Sequence, residues 1–250
     1  MPSPILGQRS AAAPVPPDPN TLSALQWLRS DSVSLVGSDV DVMVDLTPNG
    51  LDVPTQSAGT RPLLVPGVLN DRAAVRSAGA ARMIGPFGLV YPSLPDAPCS
   101  FMAVWAPTSG MLYHVGSAAG GFDGMSLALQ AGSSVTTRYY ENGSSFWTLG
   151  YVTALAPGVL YTVLLKRSVP PLAPGVSLRL YEQGATAVEG GTALATGHAL
   201  TNCALFFDQA GAFGTPYVGD LFDWALFDYC LDPATDLPLL DAYVLATWGI

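Results

Sequence analysis

Short apolar runs, each closed by turn residues, recur along most of the chain. Val33 to Val36 and Val40 to Val44 flank Gly37-Ser38, which reads as a hairpin with a two-residue turn. Asp45-Leu46-Thr47-Pro48-Asn49-Gly50 follows, with Asp, Asn and Gly supplying turn chemistry through side-chain bonds to backbone and a positive φ. Thr60 to Val65 and Leu69 to Arg76 form the next apolar segments. From Ser100 onward the pattern predicts strands over Phe101 to Trp105 and over Met111 to Val115, then a hairpin of Met125 to Gln130 with Val135 to Tyr140. Phe146 to Val152, Leu160 to Arg167 and Val176 to Glu182 continue the meander, and Ala204 to Phe207 precedes the last strand. Leu160 to Leu165 is almost unbroken apolar sequence and is expected at the centre of a sheet. Leu25-Gln26-Trp27-Leu28 fits a strand or a short helix by pattern alone.

The C-terminal stretch changes period. Leu221 to Cys230 is apolar on both faces except for Asp223 and Asp228, as a strand covered on both sides would be. Leu231-Asp232-Pro233 breaks the run. Leu237, Leu240, Tyr243, Val244 and Trp248 then fall at helical spacing and give one apolar stripe. Asp232 or Asp236 is the candidate N-cap, and Gly249 the C-terminal stop.

This ending resembles the closing segment of laminin-G-like domains of the concanavalin A-like lectin/glucanase superfamily, of the bacterial and phage type. Gly219, Asp223, Leu231, Tyr243-Val244 and Trp248-Gly249-Ile250 sit on the positions of the family pattern. Asp45, Asn49 and Gly50 match a family turn, with Met43 where the family has Trp. Thr60 to Val65 and Leu69 to Arg76 are similar to the next family segment, and Tyr181 to Gly184 to a later turn. The resemblance makes Leu25 to Leu28 a first strand, and Asp223 a residue of structural character. It implies an all-β fold, a two-sheet antiparallel jelly-roll sandwich with a short C-terminal helix. Residues 1–20 would be an extended Pro/Ala-rich arm and residues 21–250 the domain. The superfamily hosts enzymes, lectins and structural modules, so fold alone does not give function.

Composition narrows the choice. The 250 residues are 49% hydrophobic and only 12% charged, with a net charge of −9. Lys166 is the sole lysine, so there is no basic stripe for nucleic acid and no attraction to anionic membranes. A surface this poor in charge is expected to meet partners. The N-terminus shows no basic region followed by an apolar one, hence no secretory signal is expected. Pro14, Pro16, Pro17 and Pro19 favour an extended arm in which Ile5 and Leu6 are candidate anchors on a neighbouring molecule. Cys99, Cys203 and Cys230 have no C-x-x-C spacing; they read as free thiols, with one disulfide left open.

No reaction centre is legible. Glycoside hydrolysis needs two opposed carboxylates, yet Glu141, Glu182 and Glu189 lie far apart and the Asp220/Asp223/Asp228 set has the wrong spacing for one face. His114 and His198 have no partner pattern, and no nucleophile elbow or phosphate loop occurs. The chain is therefore expected to be no enzyme and to hold no cofactor, with calcium as the one candidate ion at Asp123 and Asp208. Carbohydrate binding needs a ring flanked by polar hydrogen-bonders; Tyr139, Tyr140, Asn142 and Trp147 around one turn are the candidates, against the alternative that these rings face the core. Two functions follow as expectations. The first is a non-catalytic structural protein of a phage virion, a head-decoration, fibre or baseplate module. It would assemble with other virion proteins and with itself, a trimer being the first candidate, and adhere to host-surface glycans. The second is a lectin-like carbohydrate-binding module of a bacterial surface protein; a glycoside hydrolase is the remote third.

Overall fold

The computed structural model describes residues 18–91, 99–116, 124–130, 134–141, 144–150, 158–166, 175–181, 187–191, 200–206 and 216–250. The described chain is all-β apart from a single 3-10 turn at Ala58–Thr60 and one C-terminal α-helix. Its strands are β1 (Gln26–Val36), β2 (Asp39–Asp45), β3 (Val53–Pro54), β4 (Leu63–Leu69), β5 (Arg72–Ala78), β6 (Met83–Tyr91), β7 (Cys99–Gly116) and β8 (Gly124–Gln130). They continue with β9 (Ser134–Glu141), β10 (Ser144–Gly150), β11 (Leu160–Lys166), β12 (Gly175–Tyr181), β13 (Ala187–Gly191), β14 (Leu200–Leu205) and β15 (Val218–Phe227). The helix α1 spans Asp236–Trp248.

The chain starts as a closed ring. β1 pairs with β2, β2 touches β4 at Asp39↔Leu63, β4 pairs with β5, β5 with β15, and β15 returns to β1. This closure replaces the open two-sheet jelly roll that the sequence leads one to expect. It follows from β15, which is apolar on both faces and buried over eight consecutive residues from Asp220 to Phe227. Such a strand must be flanked and covered on all sides, and it takes β1, β5 and β7 as neighbours. The Gly37-Ser38 hairpin forms as predicted, with Val36 opposite Asp39 and Gly37 at φ 67°.

β7 corrects a second expectation. The two predicted runs, Phe101 to Trp105 and Met111 to Val115, are halves of one 18-residue strand. Its first half pairs with β11 and β15; its second half pairs with β8 and β14. Gly110, at φ 81°, and a register shift at Leu112 mark where the strand passes from one layer to the other. The second layer runs β6-β14-β7-β8-β9-β10. β11 lies between β7 and β12, the central place its apolar run predicts.

Helix α1 lies on the outer face of the first layer. Leu237, Leu240, Tyr243, Val244 and Trp248 are its buried residues, the same five as the predicted stripe, and they pack on Trp27, Ala74, Met102, Val104, Val163 and Phe222. Gly249 ends the helix at φ 72°, its N–H bonded to the Leu245 carbonyl. The N-cap differs from expectation: it is Thr235, without a side-chain cap bond. Asp236 instead reaches back to the N–H of Asp232, and Asp232 accepts from the N–H of Ala234, so the two acids tie the turn before the helix. On the other face of the first layer, Leu28, Met43, Phe101, Trp105, Leu221 and Trp224 are buried toward β6 and β14, where Met83 and Leu205 are also buried.

Residues 1–17, with Ile5 and Leu6, lie outside the described residues. Asp18 already belongs to a turn in which Thr21 N–H bonds both its carbonyl and its carboxylate, and Pro19 and Leu22 are buried.

Candidate functional site

The most concentrated polar constellation among the described side chains is a knot around Asp223. This carboxylate is completely buried in β15. One oxygen accepts from Trp27 Nε1 and from the Trp224 backbone N–H, both at 2.9 Å. The other accepts from the Tyr243 hydroxyl at 2.5 Å and Trp248 Nε1 at 2.9 Å. Burial pushes the Asp223 carboxyl up to about 6, against the Tyr243, Trp248 and Trp27 bonds and the Arg29 charge, which pull it back. The Tyr243 phenol is driven well above the ordinary tyrosine range by burial and by the neighbouring carboxylate. Outside the knot, Arg29 lies 5.2 Å from the Trp27 ring centre and Arg72 lies 5.4 Å from that of Trp248; both pair with Asp31. Every bond of Asp223 runs to the protein's own β1, β15 or α1. The knot locks the helix to the ring and offers no face to a substrate.

An open cleft of about 640 Å³ lies between the turn at residues 19–24 and the loop after β2. Asn20, Ser23 and Asn49 line it beside Leu46 and Pro48. Three of its polar side chains are already committed. Asn20 Nδ2 donates to the Leu46 carbonyl at 3.0 Å and Asn49 Nδ2 to the Leu25 carbonyl at 2.8 Å. The Thr47 hydroxyl donates to Asp45 at 2.8 Å. Asp45, buried, also accepts from the N–H groups of Trp27, Thr47 and Leu51. The turn chemistry predicted for Asp45 and Asn49 is thus present, and it holds loops together. No aromatic ring lines the cleft. Its polar groups thus serve the fold, which makes it a weak candidate.

A second candidate surface is defined by the register of the second layer. Met83, Leu205, Tyr113, Leu127, Thr137 and Leu149 form one row across β6, β14, β7, β8, β9 and β10; two residues along, Gly85, Cys203, Val115, Met125, Tyr139 and Trp147 form another. Met83, Gly85 and Leu205 are buried, which identifies these rows with the core face. The rows of opposite parity read Ile84, Ala204, His114, Ser126, Arg138, Thr148 and Pro86, Asn202, Gly116, Gly124, Tyr140, Ser145. The first parity is mostly apolar, and the second carries most of the polar residues from β7 to β10 while Ile84, Pro86 and Ala204 keep its β6–β14 end apolar.

The sequence-predicted sugar residues are therefore divided. Tyr139 and Trp147 stand opposite each other in a core-parity row, whereas Tyr140 takes the other parity, between Gly124 and Ser145. The extra residue that lets Trp147 oppose Tyr139 is Phe146, at a register shift. Asn142, Asp123 and Asp208 lie outside the described residues. Among the described residues no group of three or more His, Cys, Asp or Glu is placed to hold a metal. Cys230, just past β15, is half-buried. No helix among the described residues is long and apolar enough to cross a membrane. Sequence reading missed His114, Ser126, Arg138 and Asn202 as neighbours, because their proximity depends on β7 entering the second layer; the polar alternation of β8 and β9 was the available signal.

No protein-family model matches the chain, and no curated protein matches it in sequence. Solved structures share the fold. Domain 4 of an extracellular GH43 arabinanase from Geobacillus stearothermophilus, in complex with arabinotriose, superposes with a TM-score of 0.55 and 17% identity over 86% of this chain and 97% of that one. A GH54 α-L-arabinofuranosidase soaked with a cyclic sulfate inhibitor gives 0.57 and 11% over 83% of this chain and 51% of that one. The binding domain of botulinum neurotoxin serotype D gives 0.54 and 9%, over 88% and 51%. The chain thus spans about half the length of the arabinofuranosidase and neurotoxin chains it resembles. At these identities the likeness is one of fold, and what this chain shares with those proteins is an all-β architecture.

Proposed function

We propose that this chain is a non-catalytic saccharide-binding module. The observation that carries the reading is the polar face of the second layer, where Gly116 and Gly124 stand side by side between Asn202 and Tyr140. Two glycines leave a floor without side chains. Strand spacing puts Asn202 and Tyr140 about 14 Å apart across it, three strands at ~4.8 Å each. A sugar ring needs such a flat floor, an aromatic face for its C–H groups and amide or hydroxyl partners for its own hydroxyls. Tyr140, Asn202, Ser126 and Ser145 supply those types. The described register positions of this face contain no Asp or Glu, hence no pair of carboxylates for hydrolysis.

Two fold likenesses support the reading from outside: an arabinanase domain solved with arabinotriose, which this chain nearly spans, and a carbohydrate-active GH54 enzyme. They favour the lectin-like expectation over the virion one. The virion role keeps the low surface charge and the Pro-rich arm as its support, and self-association through that arm remains a proposal of the same standing. Kinship with concanavalin A-like domains likewise rests on sequence motifs alone, those of the C-terminal stretch, the turn at Asp45 to Gly50 and the segments from Thr60 to Arg76 and Tyr181 to Gly184.

A glycan array with purified protein tests the function. Binding is expected, and Tyr140→Ala should weaken it about tenfold or more with little change in melting temperature. A silent array, or a hit indifferent to Tyr140→Ala, would remove the ground for this site.

A further inference from the structure

We infer that the outer face of α1 is covered by residues 1–17 of the same chain, laid along the helix. α1 departs from the pattern of a surface helix, which carries polar residues on the side away from the core. Its inner stripe is Leu237, Leu240, Tyr243, Val244 and Trp248. Its outer positions are Pro238, Leu239, Ala242, Leu245 and Ala246, all exposed and all apolar. Leu245 is 63% exposed and Leu239 37%. The two charged residues of the helix, Asp236 and Asp241, are half-buried at its flanks. A helix that is apolar all round is ordinarily covered on both sides. Here one side has the core and the other has solvent.

Position, length and charge choose the occupant. Residue 17 joins the described chain beside α1: the Leu22 carbonyl accepts from the Tyr229 hydroxyl at 2.8 Å, and Leu22 shares a buried cluster with Leu231, Leu237 and Leu240. A Pro-rich segment of 17 residues reaches about 50 Å at ~3.1 Å each, whereas the 13 residues of α1 extend only about 20 Å. Residues 1–17 hold Met1, Ile5, Leu6, three alanines and Val15 among five prolines, and Arg9 is their only charged side chain. The stretch they would lie on, Val218 to Ile250, holds six Asp and no Lys or Arg. An apolar segment with one cation therefore meets an apolar stripe in acidic surroundings. A second copy is a poorer occupant. A stripe about 20 Å long and 10 Å wide falls well short of the ~800 Å² per partner of a stable dimer. The tether also favours the segment's own chain, because a short linker gives an effective concentration on the order of millimolar.

Arg9 supplies the readout, since Arg9–Ser10 is the one bond in the segment that trypsin cleaves. The full chain is digested briefly and the loss of residues 1–9 is timed by mass spectrometry. Leu239→Gln/Leu245→Gln, at two exposed positions, should keep a cooperative melt and lose residues 1–9 about tenfold faster than wild type. Leu35→Gln, an exposed leucine on the β1–β2 hairpin, should cleave at the wild-type rate. Protection in the wild type should persist in the monomer through an about hundredfold dilution, followed by light scattering. Equal rates in wild type and double variant would overturn the inference, as would equal acceleration by Leu35→Gln. Protection that fades on dilution would overturn it too, and would put a second copy on the helix. If the double variant does not melt cooperatively, Leu245→Gln alone decides by the same comparison. The outcome is independent of the saccharide reading, because α1 packs on the first layer and that face belongs to the second.

Discussion

Replacing Asp223 tests whether the C-terminal helix is held by one buried acid. Asp223→Ala would strip the acceptor from Trp27 Nε1, Tyr243 Oη, Trp248 Nε1 and the Trp224 N–H, all of them buried. An orphaned buried donor costs about 1–3 kcal/mol, and removing one side of a buried charge cluster about 3–5 kcal/mol in all. For a domain of this size each kcal/mol shifts the melting temperature by roughly 2–4 °C, so a loss on the order of 6–20 °C is expected. Asp223→Asn separates the bonds from the charge. Its oxygen can still accept from Trp27 and Trp224, and the Tyr243 hydroxyl can turn to accept from the amide, but the amide N–H₂ meets the Trp248 N–H unfavourably. The loss should stay at about 1–2 kcal/mol at pH 7. The pH dependence has a definite sign. The folded carboxyl lies at about 6, above its ordinary 3.8, so the folded state holds its proton more tightly than the unfolded chain. Asp223 therefore contributes most to stability below about pH 4 and loses that contribution as pH rises through 6, by on the order of 3 kcal/mol. Thermal melts of wild type and Asp223→Asn between pH 4 and 8 read this directly: the variant should gain on the wild type as pH rises. Parallel pH profiles, or an Ala variant within about 1 kcal/mol of wild type, would refute the claim that this acid is the anchor.

Other expected outcomes follow from single positions. Gly219→Ala should cost about 3 kcal/mol or more in denaturant melts, because at φ 148° its Cβ would sit 2.4 Å from the Ala106 carbonyl and push β15 off β7. Gly249→Ala meets a left-handed φ and the amide of Asn70, which donates to the Trp248 carbonyl, and should cost about 1–3 kcal/mol. Trp147→Ala, at core parity, should lower stability by about 3–5 kcal/mol, whereas Tyr140→Ala should leave the melt unchanged; the reverse pattern would mean that the faces are exchanged. Arg76→Ala breaks a two-bond pair with Asp220 whose arginine is half exposed, so less than about 1 kcal/mol should be lost. Deleting residues 1–17 should convert a homo-oligomer to monomer in light scattering if the arm mediates assembly; a monomeric full-length chain would end that proposal.

How far the sequence predicts this structure depends on how local each signal is. The α1 stripe is set by spacing within 12 residues, and all five of its positions are buried as read. The Gly37-Ser38 turn and the buried run of β15 are equally local. β6 and β13 were missed because their sequences, MIGPFGLVY and AVEGG, are broken by Gly and Pro, which lower strand propensity while leaving pairing with a partner intact. Ring closure was invisible for a different reason: β1 meets β15 through Leu28↔Trp224 and Arg29↔Asp223, across nearly the whole chain, and no run of residues in either strand encodes that partner. The site shares this property. Arg138, Ser126 and His114 belong to three separate strands, and they become one row only because β7 crosses at Gly110 from the first layer into the second. Side-chain alternation within each strand is fixed by sequence, but a one-residue change in that crossing would exchange the faces and send Arg138 into the core row. The shift at Leu112 thus decides which of the two tyrosines, 139 or 140, stands on the polar face, and the paired Trp147 and Tyr140 variants read it out.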